Sequence, residues 1–126
     1  MIVGLLKESG NEQRIAFLPE IAARLVQQKV RVFVEKDAGL TAFQSNQLYE
    51  EAGAEIVSRE EVLAKSDLLV QIGEPSPELV EQLRSDSVWL SQYNPLWNKD
   101  LVRLFLQKGI TSFSMDSIPR TSRAQA

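Results

Sequence analysis

The residues of this chain that could bind or transform a ligand are concentrated in four polar stretches, Lys7–Arg14, Gly73–Pro77, Tyr93–Trp97 and Ser114–Ala126. The last is the richest, with Asp116, Pro119, Arg120, Ser122, Arg123 and Gln125 following a short apolar run. Arg120 and Arg123 stand three apart and offer planar donor forks suited to phosphate, carboxylate or carboxamide oxygens. Pro119 fixes its own φ and drives Ile118 toward an extended backbone, so this loop is held in shape. The same residues also read as a solvated exit loop, the usual condition of exposed arginines. Arg14, between a polar loop and an apolar run, reads first as a surface or capping ion pair. Asn94 is neither acid nor base near neutrality, and Glu74 and Asp116 read as turn or capping residues. Cys and His are both absent, which removes disulfides, thiolate chemistry and the two commonest transition-metal ligands and so argues against a zinc site.

Such loops must be carried by elements whose ends meet. Short apolar runs at 2–6, 68–72 and 110–113 read as buried strands, those at 30–34 and 88–90 as further strands, and the short 54–57 as a candidate strand. Between them, Ile21, Ala22, Leu25 and Val26 recur at helical spacing after Pro19, giving a helix near 19–28. Gly39 marks a turn with a close backbone approach or a positive φ. Ser45 caps a helix whose Leu48, Tyr49 and Ala52 face inward and which Gly53 closes. Ser58 and Glu61 have capping-box spacing, and Glu61 pairs with Lys65. Ser76 and Pro77 open a helix running to about Arg84. Asn98 caps the last helix, with Leu101, Leu104 and Phe105 inward and Gly109 at its end.

Strand and helix alternate with short connections, so the expected fold is α/β: one domain over 1–126, a three-layer α/β/α parallel sheet, flavodoxin-like and Rossmann-related. All four polar stretches then follow strand carboxyl ends, where open α/β sheets hold ligands. Trp89, Tyr93 and Trp97 are candidates to line that cleft, although aromatics near strand ends more often pack in cores. A net charge of -3 without a basic block argues against nucleic acid, and no apolar run reaches membrane-spanning length. No glycine-rich dinucleotide fingerprint joins a strand to a helix, and Gly4 stands alone in the first strand.

Several of these stretches also carry a family likeness. Ile118-Pro-Arg-Thr-Ser-Arg-Ala-Gln125 resembles a loop of the alanine dehydrogenase/NAD(P) transhydrogenase family, specifically of the nucleotide-binding alpha subunits of proton-translocating transhydrogenases. Lys7-Glu8, Asn11-Glu-Gln-Arg-Ile-Ala16 and Pro19 resemble the family's amino-terminal motif, and Leu69-Val-Gln-Ile-Gly-Glu-Pro75 a further segment. The resemblance implies that Arg120 and Gln125 lie near the nicotinamide ends of the nucleotides, with Ser122 and Arg123 in the same binding motif. It implies that Arg14 matches an arginine that holds a keto-acid carboxylate in alanine dehydrogenases. There, a substrate-binding lysine matches Gly73 and a catalytic histidine matches Asn94. Both residues of amino-acid dehydrogenation chemistry are therefore missing.

Interconverting an amino acid and a keto acid requires proton transfers at nitrogen and oxygen. Passing hydride between two nicotinamides is chiefly a matter of positioning in a site that excludes water. The transhydrogenase branch fits that second reaction. It implies NAD(H) and NADP(H) as cofactors, held through other domains, and no metal. It further implies membrane-embedded and NADP-binding partner subunits, a homodimer, and a cytoplasmic position at the inner face of a membrane. The chain is then expected to be the first part of an amino-terminal domain that precedes an NAD-binding Rossmann domain, and inactive alone. The alternatives are an alanine- or saccharopine-dehydrogenase-like oxidoreductase, or a non-catalytic flavodoxin-like interaction module. A phosphoacceptor version of the module is a poor match, because the first strand ends in Lys7-Glu8 rather than in an acidic cluster.

Overall fold

The computed structural model describes residues 1–117, so the expectations for Pro119, Arg120, Ser122, Arg123 and Gln125 lie outside the described residues. Six strands form one parallel sheet: β1 (Ile2–Leu5), β2 (Arg31–Glu35), β3 (Glu55–Val57), β4 (Leu68–Val70), β5 (Val88–Ser91) and β6 (Thr111–Ser114). Their spatial order is β3-β2-β1-β4-β5-β6, the doubly wound arrangement of dinucleotide-binding sheets. Five helices connect them: α1 (Pro19–Gln27), α2 (Asn46–Glu51), α3 (Arg59–Lys65), α4 (Pro77–Gln82) and α5 (Lys99–Lys108). The expected three-layer parallel α/β fold is what the chain adopts.

Helix starts follow local chemistry closely. Ser45, Ser58 and Ser76 each accept from the backbone N–H three residues on, at 3.3, 3.2 and 3.1 Å, satisfying donors that the helix itself leaves free. Asn98 does not follow suit. It occupies the capping position of α5 but its amide donates backward to the carbonyls of Tyr93 and Asn94. The expected cap is replaced by a brace on the loop before it. Gly109 ends α5 at φ 72°, the left-handed turn that glycine permits most easily. Gly39 has φ -94°, so of its two expected uses only the close approach is real. A Cβ there would stand 2.7 Å from the Gln44 carbonyl oxygen.

Two apolar layers sandwich the sheet. One gathers Leu5, Ile15, Ala22, Val32, Val34 and Tyr49 beneath α1 and α2. The other gathers Leu6, Phe33, Val62, Leu69, Leu79, Trp89, Leu101 and Phe105 beneath α3, α4 and α5. Trp89 belongs to this second layer, fully buried and 6.3 Å from the Phe105 ring, so it does not line a cleft. Its position beside Leu69 and Ser112 in the register aims it into the helix layer. Tyr93 is likewise buried, 5.5 Å from Phe105, whereas Trp97 is 83% exposed. In α2 it is Tyr49, not Leu48, that fills the core; its hydroxyl donates to the Phe17 carbonyl at 2.8 Å while Leu48 stays exposed.

Candidate functional site at the strand tips

In the strand order, β1 and β4 are neighbours whose following connections lead to opposite sides, β1 toward β2 and β4 toward β5. This is the switch point at which doubly wound sheets open a crevice. The loops after β1, β4, β5 and β6 therefore line one edge, and Arg14, Gly73 and Asn94 all sit on it.

Strand tips leave backbone N–H groups that no ladder bond satisfies, and here acidic side chains take them. At the end of β2, Glu35 accepts from the Lys7 amide at 2.9 Å and pairs with Arg59 at 2.8 Å. Across the switch point, the Glu8 carboxylate accepts from two successive amides, Ile72 at 2.6 Å and Gly73 at 2.9 Å. Beyond β6, Asp116 accepts from the Asn94 amide at 2.9 Å. Each carboxylate stitches one loop to the next.

Arg14 is similarly engaged. Its Nη2 and Nε donate to Glu12 at 2.7 and 3.2 Å, and its backbone amide donates to the same carboxylate at 3.1 Å. These bonds, with the guanidinium foremost, hold the Glu12 carboxyl down to about 2. The ion pair expected of an arginine in this setting is present, and the Arg14 side chain remains 69% exposed. Glu8 moves the other way: burial raises its pKa, against the lowering effect of the two amides and of Arg14.

Gly73 is fixed from both sides, its N–H to Glu8 and its carbonyl to the Gln71 side chain at 2.8 Å. A Cβ at this position would meet only Glu8 Oε1, at 3.4 Å, so the site has room for a side chain it lacks. Asn94 has φ 42°, a left-handed conformation that asparagine tolerates better than most residues. Its backbone requirement thus explains the residue without any chemistry. Arg14 and Gly73 are linked through Glu8, which feels Arg14's charge and binds the Gly73 amide. Asn94 is tied instead to Asp116.

Glu35, Arg59 and Gln71 belong to this edge, and sequence reasoning passed over them. Gln71 was the findable one: a polar residue inside the apolar run 68–72, buried in the fold, needs partners. Glu35 and Arg59 lie 24 positions apart, and nothing local pairs them.

A cleft of about 360 Å³ opens here, lined by residues including Lys7, Glu8, Glu35, Arg59, Gln71 and Glu74. Three carboxylates against two cations make a poor seat for a pyrophosphate. Amide and hydroxyl groups such as Gln71 and Ser76 suit a small polar, uncharged end such as a carboxamide. A groove of about 430 Å³ between α4 and α5 is lined by Pro75, Pro77, Leu101 and Leu104 among others, and shares Glu74 with the cleft. Among the described residues no cluster of acidic side chains could hold a metal ion, and no helix is long and apolar enough to cross a membrane.

Comparison with known proteins gives this edge a lineage. Residues 4–126 match the family model for the alanine dehydrogenase/PNT N-terminal domain. The chain is 32% identical to an NAD(P) transhydrogenase subunit alpha of Haemophilus influenzae, over all of this chain and 25% of that protein. It is 30% identical to an alanine dehydrogenase of Bacillus subtilis, over 94% of this chain and 32% of the relative. Among solved structures, a transhydrogenase from Sinorhizobium meliloti superposes with a TM-score of 0.93 at 31% identity, covering 99% of this chain and 38% of that one. The chain thus spans a quarter to under two-fifths of the length of these relatives. With its switch-point edge, its parallel sheet and this match along nearly its whole length, the chain belongs to the alanine dehydrogenase/PNT N-terminal domain family.

Proposed function

We propose that this domain forms one wall of the hydride-transfer site of an NAD(P) transhydrogenase, in which hydride passes directly between NAD(H) and NADP(H). The observation that carries this reading is the use made of acidic groups at the strand tips. Glu8, Glu35 and Asp116 are spent on backbone amides and Glu12 on Arg14, while Gly73 and Asn94 occupy the tips of β4 and β5. An edge so arranged holds the loops still and commits four of its carboxylates to fixed partners rather than to proton transfer. That suits a reaction limited by the alignment of two rings and the exclusion of water.

In this reading the nicotinamides supply the redox chemistry. Arg120 and Gln125 contact their carboxamide ends, Ser122 and Arg123 complete the loop, and Arg14 positions the β1 loop through Glu12. The dinucleotide phosphates are held by a separate NAD-binding domain, because this chain has no glycine-rich fingerprint. NADP-binding and membrane-embedded subunits complete the enzyme, couple it to proton movement and place this domain at the cytoplasmic membrane face.

The test is an assay of the complete enzyme for NADH-dependent reduction of an NADP analogue, alongside NADH oxidation by pyruvate plus ammonia. Transhydrogenation, lowered at least tenfold by R120A or Q125A, is expected. Turnover of the keto acid without transhydrogenation would overturn the proposal in favour of the amino-acid dehydrogenase reading. That second reading draws on one observation, an alanine dehydrogenase nearly as similar as the transhydrogenase subunit.

A further inference from the structure

We propose that Glu8 is a positioning residue that locks the loops after β1 and β4 together across the switch point, and that its protonation releases both at once. Its functional meaning rests on reading this edge as the nucleotide-facing cleft. The clamp itself is independent of that reading.

The geometry is that of a two-pronged strut. One oxygen takes the Ile72 amide at 2.6 Å and the other the Gly73 amide at 2.9 Å, spanning 64 and 65 positions of sequence. No other side chain bonds either amide among the described residues, and the last ladder contact beside it is Leu6 N–H to the Val70 carbonyl at 3.1 Å. The loop after β4 also has Gln71 bracing the Gly73 carbonyl, but that bond is internal to the loop and sets no distance to β1. Beyond that ladder, Glu8 is the one side chain among the described residues that hydrogen-bonds the two walls together.

The charged groups around it come from several elements. Glu12 and Arg14 lie on its own loop. Lys7, Glu35 of β2, Arg59 of α3 and Glu74 of the β4 loop line the same cleft. Glu35 and Arg59 largely cancel as a pair at 2.8 Å, as do Glu12 and Arg14 at 2.7 Å. Burial, which favours the neutral acid, then outweighs the two amide bonds and brings its titration above the ordinary glutamate value. A protonated carboxyl keeps at most one good acceptor oxygen for two amides, so the strut weakens as the proton binds.

The experiment follows the amides directly. In the ¹⁵N-labelled chain, the Ile72 and Gly73 signals are recorded between about pH 3.5 and 7, with their hydrogen exchange, in wild type, E8Q and E8D. Both amides should titrate together with one midpoint above 4.5. E8Q should abolish that step and speed their exchange at least tenfold, while Leu5 and Val70 keep their protection. E8D, one methylene short, should retain one protected amide and not the other. Amides that fail to titrate together, or a step that persists in E8Q, would overturn the proposal. So would unchanged exchange in E8Q. No nucleotide is present in this measurement, so it stands or falls separately from the transhydrogenase reading. In the complete enzyme, E8Q should raise the KM for NADH several-fold with a smaller change in kcat and flatten the acid limb of the pH profile. An equal fall in kcat and kcat/KM would count against positioning.

Discussion

Replacing Gly4 by alanine tests the packing on which the switch point rests. Gly4 lies in β1, paired with Phe33 and Leu69, directly under α3. An added Cβ would stand 2.1 Å from Ser66 Oγ and 2.8 Å from both Ser66 Cβ and Val62 Cγ1. Rotating the Ser66 hydroxyl relieves only the first contact. Ser66 Cβ moves only with the backbone, and Val62 Cγ1 only by turning a β-branched side chain that is stiff in a helix, so ordinary contact at 3.4 Å asks α3 to lift by about 0.6 Å at Ser66. Overpacking of this kind costs about 1–3 kcal/mol, and the contact with Ser66 Cβ, which no rotamer change relieves, puts Gly4→Ala near the upper end. Removing glycine's extra freedom in the unfolded chain returns about 0.5–1 kcal/mol, leaving a net loss of about 2 kcal/mol.

Ser66→Ala is the partner experiment. Its hydroxyl is fully buried without a hydrogen-bond partner among the described residues, so its loss should stabilise the fold by about 1 kcal/mol. In the double variant the Gly4→Ala penalty should shrink by roughly 0.5 kcal/mol or more, because the nearest obstacle is gone. Urea unfolding followed by fluorescence, with buried Trp89 as the changing signal, measures all three. A Gly4→Ala protein within 0.5 kcal/mol of wild type would refute this account of why glycine stands in the first strand; a penalty independent of Ser66 would refute the part assigned to the hydroxyl.

Three further outcomes follow from burial, an ion pair and a helix cap. Burial raises the Tyr49 hydroxyl to about 12, above the value near 10 of an unfolded chain. Stability should therefore hold below pH 10 and fall as pH rises toward 12, with tyrosinate absorbance lagging until unfolding. Arg14→Ala should return the Glu12 carboxyl from about 2 toward 4.5; carbon-13 titration reads this. Because the folded value is the lower one, the stability Glu12 contributes is present above 4.5 and lost as pH falls toward 2, and the variant, keeping only the backbone amide bonds to Glu12, should show less of that loss. Ser76→Ala removes the acceptor for the Leu79 amide and should cost about 1 kcal/mol, with protection lost first in α4 by hydrogen exchange.

Much of this molecule is set by local chemistry. Apolar runs separated by Ser-x-x-Glu and Ser-Pro starts mark strand, cap and helix one after another, since those signals act within three or four residues. Alternation of the two elements with short links leaves a parallel sheet as the economical solution, and a parallel sheet puts its following loops on one edge. Arg14, Gly73 and Asn94 could therefore be assigned to a common edge from their places in the chain. Even the Arg14 ion pair is local, since Glu12 lies two residues away.

Only the tertiary structure decided what those loops do to one another. Glu8 to Gly73, Glu35 to Arg59 and Asp116 to Asn94 join positions 22 to 65 residues apart, and nothing in the intervening sequence specifies such pairings. Trp89 and Leu48 show the same limit: which side of an element meets the core depends on the neighbour's layer, so one went inward and the other outward. Asn98 had the right residue type for a cap, yet the Tyr93 and Asn94 carbonyls before it claimed the side chain. Local propensity proposes an element; the search of every buried polar group for a partner, across strands brought together by folding, determines how the edge is wired.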